Sequence, residues 1–413
     1  MNRIRISPTI LMLFTILLAI TLDSSVADAQ PCGQWIAKAV SVQGSVQALR
    51  AGERQWRPVR LSDTFCPGDM IRVLKLSRAD IVLSNDTILR LDQNTAISFP
   101  EPEKEKPFLV NMLNGAAYFF SRVRRSLKVF TPFVNAIVEG TEFYARVESD
   151  KAFISIFEGQ VLAENQAGSI TLAKGQSAIA EANRSPVLQI VVRPRDAVQW
   201  TLYYPSILYY RPSDFKATTG WEAIVIKSIE FYLDGNIQKA YESLEGVTEE
   251  IRDPRFFIYR ASLLLSVGRV DEARSDIEKA LVLAPLNSQG LVLQSIIALV
   301  QNEKEKALSL AKRAVDADPK SGAARIALSY AQQSNFDLKG ALRTLEDAVN
   351  LEPENALAWA RLAEMWLSFG NLNKALKAAK KAVVLNPNLS RTQTVLGFAY
   401  LTQIKTKMSK EAR

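Results

Sequence analysis

The stretch ALAWARLAEMWLSFGNLNKALKAAKKAVVLNP, residues 356–387, decides the fold. It carries Trp359, Leu362 and Ala363, then Gly370, then Ala375 and Ala382, and it ends on Pro387. The same punctuation recurs upstream. Pro285, Pro319, Pro353 and Pro387 are each 34 residues apart, and so are Ala280, Ala314, Ala348 and Ala382. Ala273, Ala307, Ala341 and Ala375 form a second column at that spacing. Two antiparallel helices approach closely only where small side chains let them, so these columns with a closing proline describe a repeated helix pair. The period predicts repeats at 221–253, 254–287, 288–321, 322–355 and 356–389. Ala240 with Gly235 marks the earliest unit, shifted by one residue and lacking the proline.

This pattern resembles the tetratricopeptide family. The resemblance implies a curved solenoid whose first helices line a concave groove that holds a peptide or a partner domain. Carried over residue by residue, it assigns the groove-facing column to Ser262, Ile296, Tyr330, Glu364 and Phe398. That column is mostly apolar and lacks the Lys/Asn set with which chaperone-binding relatives grip a C-terminal carboxylate. An apolar or mixed peptide is therefore expected rather than an acidic tail. The alternative is that these side chains only pack against the aromatic segment described below or against a neighbouring subunit. Leu396, Gly397 and Tyr400 match the first helix of a sixth repeat, and the Lys-rich end beyond reads either as a solvating cap or as the edge of a fragment.

Ahead of the repeats the period changes to two. AKAVSVQGSVQAL and DMIRVLKLSRADIVLSNDTILRLDQNTAISF alternate apolar and polar residues, with turn signals at Gln43-Gly44, Pro67-Gly68, Asn85-Asp86 and Gln93-Asn94. LNGAAYFF, LKVFTP, NAIVEGTEFYARV, KAFISIFEGQVLAE and SITLAKGQSAIA continue the habit. Taken in order, GSVQAL, Trp56-Arg57-Pro58-Val59, PGDMIRV, SRADIVLSNDTILRL, VFTPFVNAIVEGTEFYARV, ISIFEGQVLAE and LAKGQSAIA resemble the FecR-type domain over residues 38–181. In founding members that domain is the periplasmic part of a signalling protein relaying the state of an outer-membrane transporter to a sigma factor. The expected fold is multidomain: an all-β FecR-like module at 30–182, β-solenoid or sandwich-like, followed by an all-α tetratricopeptide solenoid at 221–413.

Within the module, Gly140 in Val-Glu-Gly-Thr-Glu-Phe falls where an all-β fold needs a bend or bulge, and Pro132 marks a strand end. Glu139 and Glu142 flank that corner. A carboxylate pair invites a catalytic reading, but a structural corner is the expectation. Asp80, Asp86 and Asp92 read as solvated turn acids. Between the modules, residues 183–220 contain Pro186, Pro194, Pro205 and Pro212, which exclude a long regular element. Trp200, Tyr203, Tyr204, Tyr209 and Tyr210 make the segment too aromatic for a loose linker. It is either an ordered strap packing one module on the other or an exposed docking bridge centred on Trp200, Tyr203 and Tyr204.

Composition narrows the chemistry. The 413 residues are 48% hydrophobic and 23% charged, a balance of folded proteins. The net charge of +8 is spread along the chain, with one tight basic cluster at Arg122, Arg124, Arg125 and Lys128, so no nucleic-acid partner is expected. There is no histidine, and two cysteines cannot build a structural zinc site. Walker, nucleophile-elbow and dinucleotide motifs are missing, so no catalytic residue, metal or cofactor is expected.

MNRIRISPTILMLFTILLAITLDSSVADAQ has basic, apolar and Ala-x-Ala regions in the order of a secretory signal peptide, residues 1–29, with cleavage before Gln30. An exported chain, peripheral to a membrane at most, makes a Cys32–Cys66 disulfide the expectation, against two buried thiols. Function then reads as a non-enzymatic scaffold of a bacterial cell envelope or periplasm. The β-module would bind an envelope protein or glycan, and the repeats a protein or peptide. The alternative is a periplasmic sensor coupled to an outer-membrane transporter.

Overall fold

The structure is a computed structural model and describes residues 35–101, 108–121, 124–189, 191, 201–216, 219–248 and 250–411. The signal peptide, Cys32, Arg122 and Trp200 lie outside the described residues, as do the side chains of Arg124, Arg125 and Glu139.

Among the described residues, fifteen strands form the β-module. They are β1 Ala37–Gln43, β2 Val46–Leu49, β3 Arg57–Pro58, β4 Thr64–Phe65, β5 Met70–Val73, β6 Arg78–Leu83, β7 Ile88–Leu91 and β8 Thr95–Ser98. The later ones are β9 Phe108–Phe120, β10 Arg124–Phe130, β11 Asn135–Val147, β12 Lys151–Asn165, β13 Gly168–Ala173, β14 Ser177–Glu181 and β15 Val187–Gln189. All four turn signals read from the sequence take left-handed backbone conformations, at Gly44, Gly68, Asp86 and Asn94.

Short strands alternate buried and half-exposed residues, as in the Arg78–Leu83 strand, where Ala79, Ile81 and Leu83 face inward. The three long strands β9, β11 and β12 each belong to two half-sheets. One runs β3-β2-β5-β8-β9-β10-β11-β12-β13 and the other β4-β1-β6-β7-β9-β11-β12-β14-β15. Each long strand passes from one half-sheet to the other at a glycine. Gly115 has φ +91°, and a Cβ there would lie 2.4 Å from Thr95. Gly159 has φ 78°. Gly140 falls at the register shift between Glu139, which opposes Arg124 of β10, and Glu142, which opposes Phe120 of β9. The Val-Glu-Gly-Thr-Glu stretch is thus a corner of the sheet.

Both half-sheets share one core, with Phe65, Phe99, Phe119 and Phe143 fully buried. Among the described residues every strand pairing but β9 with β10 is antiparallel, so the module closes as a barrel-like sandwich rather than as stacked solenoid coils.

Among the described residues, eleven helices follow: α1 Gly220–Leu233, α2 Ile237–Leu244, α3 Pro254–Ser266, α4 Val270–Leu283, α5 Ser288–Val300 and α6 Lys304–Ala317. The remainder are α7 Gly322–Ser334, α8 Leu338–Leu351, α9 Ala356–Ser368, α10 Leu372–Leu385 and α11 Ser390–Glu411. Side-chain caps open many of them. Asn287 accepts from Gly290 N, Ser321 from Ala324 N and Asn355 from Leu357 N and Ala358 N. Pro285, Pro319, Pro353 and Pro387 each lie just beyond a second helix, and all eight alanines of the two columns are fully buried.

The solenoid curves until its ends meet. Asn386 Nδ2 donates to Leu233 O at 3.4 Å, and a Cβ on Gly235 would lie 2.9 Å from Asn388 O. The β-module rests on the early repeats. Gln43 Nε2 donates to Ser266 O at 3.0 Å, Arg269 pairs with Asp92 at 3.5 Å, and Lys75 pairs with Glu245.

Candidate functional site

The segment between the modules enters the concave face of the solenoid. Residues 203–211 take neither helix nor strand, in keeping with Pro205, and a 3-10 turn at Pro212–Asp214 follows. Tyr204, Ile207, Leu208, Tyr210 and Phe215 are all buried in the same apolar cluster as the helices. Tyr210 meets Tyr259 edge to face at 5.0 Å, and its hydroxyl donates to Gln289 Oε1 at 3.4 Å. Phe215 packs against Trp221, with Arg255 stacked 5.3 Å from the Phe215 ring. Burial raises the phenol pKa of Tyr210 well above the usual range and that of Tyr204 to about 12, so both stay neutral.

At its other end the segment meets an ionic cluster. Arg391 donates from Nη1 to the Tyr203 hydroxyl at 3.0 Å and from Nη2 to both Glu364 oxygens at 2.6 and 2.8 Å. It also donates to the Tyr330 hydroxyl. Arg361 stacks 3.7 Å from the Tyr330 ring centroid and donates to Glu364 at 3.1 Å and to Gln333. Burial works against the Arg391 charge, but Tyr330, Glu364 and Tyr203 outweigh it and hold its proton more tightly than usual. Burial likewise raises the Tyr330 phenol to about 12. Beside this cluster a cavity of about 730 Å³ opens between the modules, lined among others by Arg78, Tyr203, Asp234, Leu357 and Arg391.

These contacts place the groove column. Ser262 lies against the strap, Ile296 is buried, Tyr330 and Glu364 share the ionic cluster, and Phe398 is 57% exposed. Tyr204 is buried within the solenoid, whereas Tyr203 keeps an exposed ring. Three of the strap's polar and ring contacts come instead from residues seven positions upstream of that column: Arg255 with Phe215, Gln289 with Tyr210 and Arg391 with Tyr203. The 34-residue period applied one helical turn pair earlier would have found them. Arg361 also left a signal, since its column otherwise reads Tyr259, Leu293, Ala327 and Val395.

Asp86 sits in a turn, but Asp80 lies inside β6. Asp92 is no solvated turn acid, because its carboxylate is only 15% exposed and faces Arg269 across the module boundary. Burial raises its pKa, and Arg269 pulls it back. Glu142 accepts from the Tyr118 hydroxyl at 2.6 Å. Cys66 is disulfide-bonded, and its amide donates to the buried Asp69, which also holds Arg50 at 2.7 Å. Among the described residues no group of three or more His, Cys, Asp or Glu could hold a metal ion, and no helix is long and apolar enough to cross a membrane.

Comparison with known proteins matches both modules. The FecR protein family model matches residues 69–162, and the tetratricopeptide repeat model matches residues 260–322 and 325–390. No curated protein matches the chain in sequence. Among solved structures, a candidate anti-sigma factor from Parabacteroides distasonis is 19% identical over 33% of this chain and 68% of its own, with a TM-score of 0.30. A thermophilic tetratricopeptide repeat protein of Thermus thermophilus is 20% identical over 44% of this chain and 100% of its own, with a TM-score of 0.38. MamA from Desulfovibrio magneticus is 21% identical over 40% of this chain and 93% of its own, with a TM-score of 0.28.

Proposed function

We propose that this chain, a FecR-type β-module followed by tetratricopeptide repeats, is an exported, non-enzymatic binding scaffold of a bacterial cell envelope. In this reading the β-module contacts an envelope protein or glycan while the solenoid takes a protein or peptide partner. Two modest contacts carried by one chain raise overall affinity without new contacts. The observation that carries the reading is the concave face itself. It already holds an extended polypeptide segment through Arg255, Tyr259, Gln289 and Arg391, which is the work such a groove does for a partner.

The test is a pull-down from envelope extract with the chain from Gln30 onward as bait, beside its Phe398→Asp variant. A protein retained by the first and lost by the second, with envelope material retained by both, is expected. Retention of nothing by either bait would remove the scaffold reading. The match to the FecR model also favours a sensor role coupled to an outer-membrane transporter, and capture of such a transporter would move that reading ahead. A Cys32–Cys66 bond, supported by the bonded state of Cys66, would tie the mature N-terminus to the β4–β5 turn. A non-reducing peptide map that links those two residues tests it.

A further inference from the structure

The segment 203–210, Tyr-Tyr-Pro-Ser-Ile-Leu-Tyr-Tyr, is held as a bound peptide is held. Its grip is made by side chains: Tyr204, Ile207, Leu208 and Tyr210 are buried among the helices, and Tyr203 receives Arg391. Among the described residues, no backbone–backbone hydrogen bond joins 203–210 to a helix or strand. A segment woven into a fold would use its backbone donors that way. Two of the contacts come from equivalent positions three repeats apart, Gln289 on Tyr210 and Arg391 on Tyr203, so the segment spans several repeats as an extended ligand in a solenoid does. The 730 Å³ cavity exposes the Tyr203 end of the segment.

We infer that residues 203–210 are the solenoid's resident ligand, and that a partner engages by exchanging with them. This deepens the scaffold reading and rests on it. The partner's chemistry follows from the occupant: paired aromatics flanking proline and branched aliphatic residues, with no acidic side chain. Ordering an irregular segment offsets much of what its apolar burial gains. Retention then depends on the tether, whose effective concentration is roughly millimolar for a short connection, and that is the competition a partner must overcome.

The probe is a fluorescein-labelled peptide of residues 201–212, measured by anisotropy against the full chain and against its Ile207→Asp/Leu208→Asp variant. The variant removes the occupant's grip and leaves Arg255, Tyr259, Gln289 and Arg391 in place. It is expected to bind the peptide about a hundredfold more tightly than the unaltered chain. Adding Arg391→Gln should reverse part of the gain, and a scrambled peptide should not bind. Equal affinity for both chains, or no binding by a variant that keeps its helical circular dichroism, overturns the inference.

If the double variant does not fold, protease sites placed within 192–199 and at 217–218 of the unaltered chain cut the segment loose. Retention followed by exchange with excess labelled peptide supports a resident ligand. Loss of helical structure on cutting, or retention without exchange, marks the segment as part of the core and overturns it. Exchange without any protein captured from envelope extract would remove the partner reading alone.

Discussion

The β-module and the solenoid close their cores by opposite means. In the module, three long strands cross between half-sheets and join residues far apart in sequence, so Phe119 of β9 stacks on Phe143 of β11 at 4.6 Å within one shared core. In the solenoid each helix pair packs on its neighbours, with fully buried alanines recurring every 34 residues. The difference lies in how far the loss of one side chain is felt. Damage to the module spreads through a single core, whereas damage to the solenoid stays near one repeat.

The sharpest way to break this contrast is Phe143→Ala. It should cost about 3–5 kcal/mol and remove the module's unfolding transition as a unit, while the helical signal melts where it did before. A loss shared equally by both transitions would contradict the separation of cores. Glu364→Gln comes next. It strips the shared carboxylate from Arg361 and Arg391, and chemical denaturation should show a loss of roughly 2–3 kcal/mol in the helical transition. Ala348→Leu, at a fully buried position of α8, should cost about 1–2 kcal/mol through overpacking. Hydrogen exchange should place that change in the fourth and fifth repeats.

The smallest effect concerns the boundary. Asp92 has a folded pKa raised by burial, with Arg269 opposing. The folded chain therefore binds that proton more tightly than the unfolded chain does. Its contribution is fully present below the unfolded carboxylate pKa and is lost as pH rises through the raised folded value. Between mild acid and neutral pH, the Tm of the unaltered chain should fall by more than that of Asp92→Asn.

The same contrast explains what could be read from the sequence. The alanine and proline columns announce the helix pairs because each repeat is a local unit. The corner at Gly140 was legible from composition and position, and the neighbouring bends at Gly115 and Gly159 obey the same rule. Which strands meet across the half-sheets was not legible, because pairing depends on long-range register rather than on local pattern. The concave site was half legible. Tyr330 and Glu364 came with the tetratricopeptide column, but Arg391 and Gln289 lie seven residues upstream in theirs, and a strap of tyrosines carries no period that points into a groove.

Whether the strap lies in the concave face is the most direct question. A photo-crosslinking residue placed at Ile207 in the full chain measures it. Adducts within the same chain are expected to peptides containing Tyr259, Ser262 or Leu293, the side chains that line the strap's seat. Adducts confined to the β-module, or a strap that labels only solvent, would contradict it.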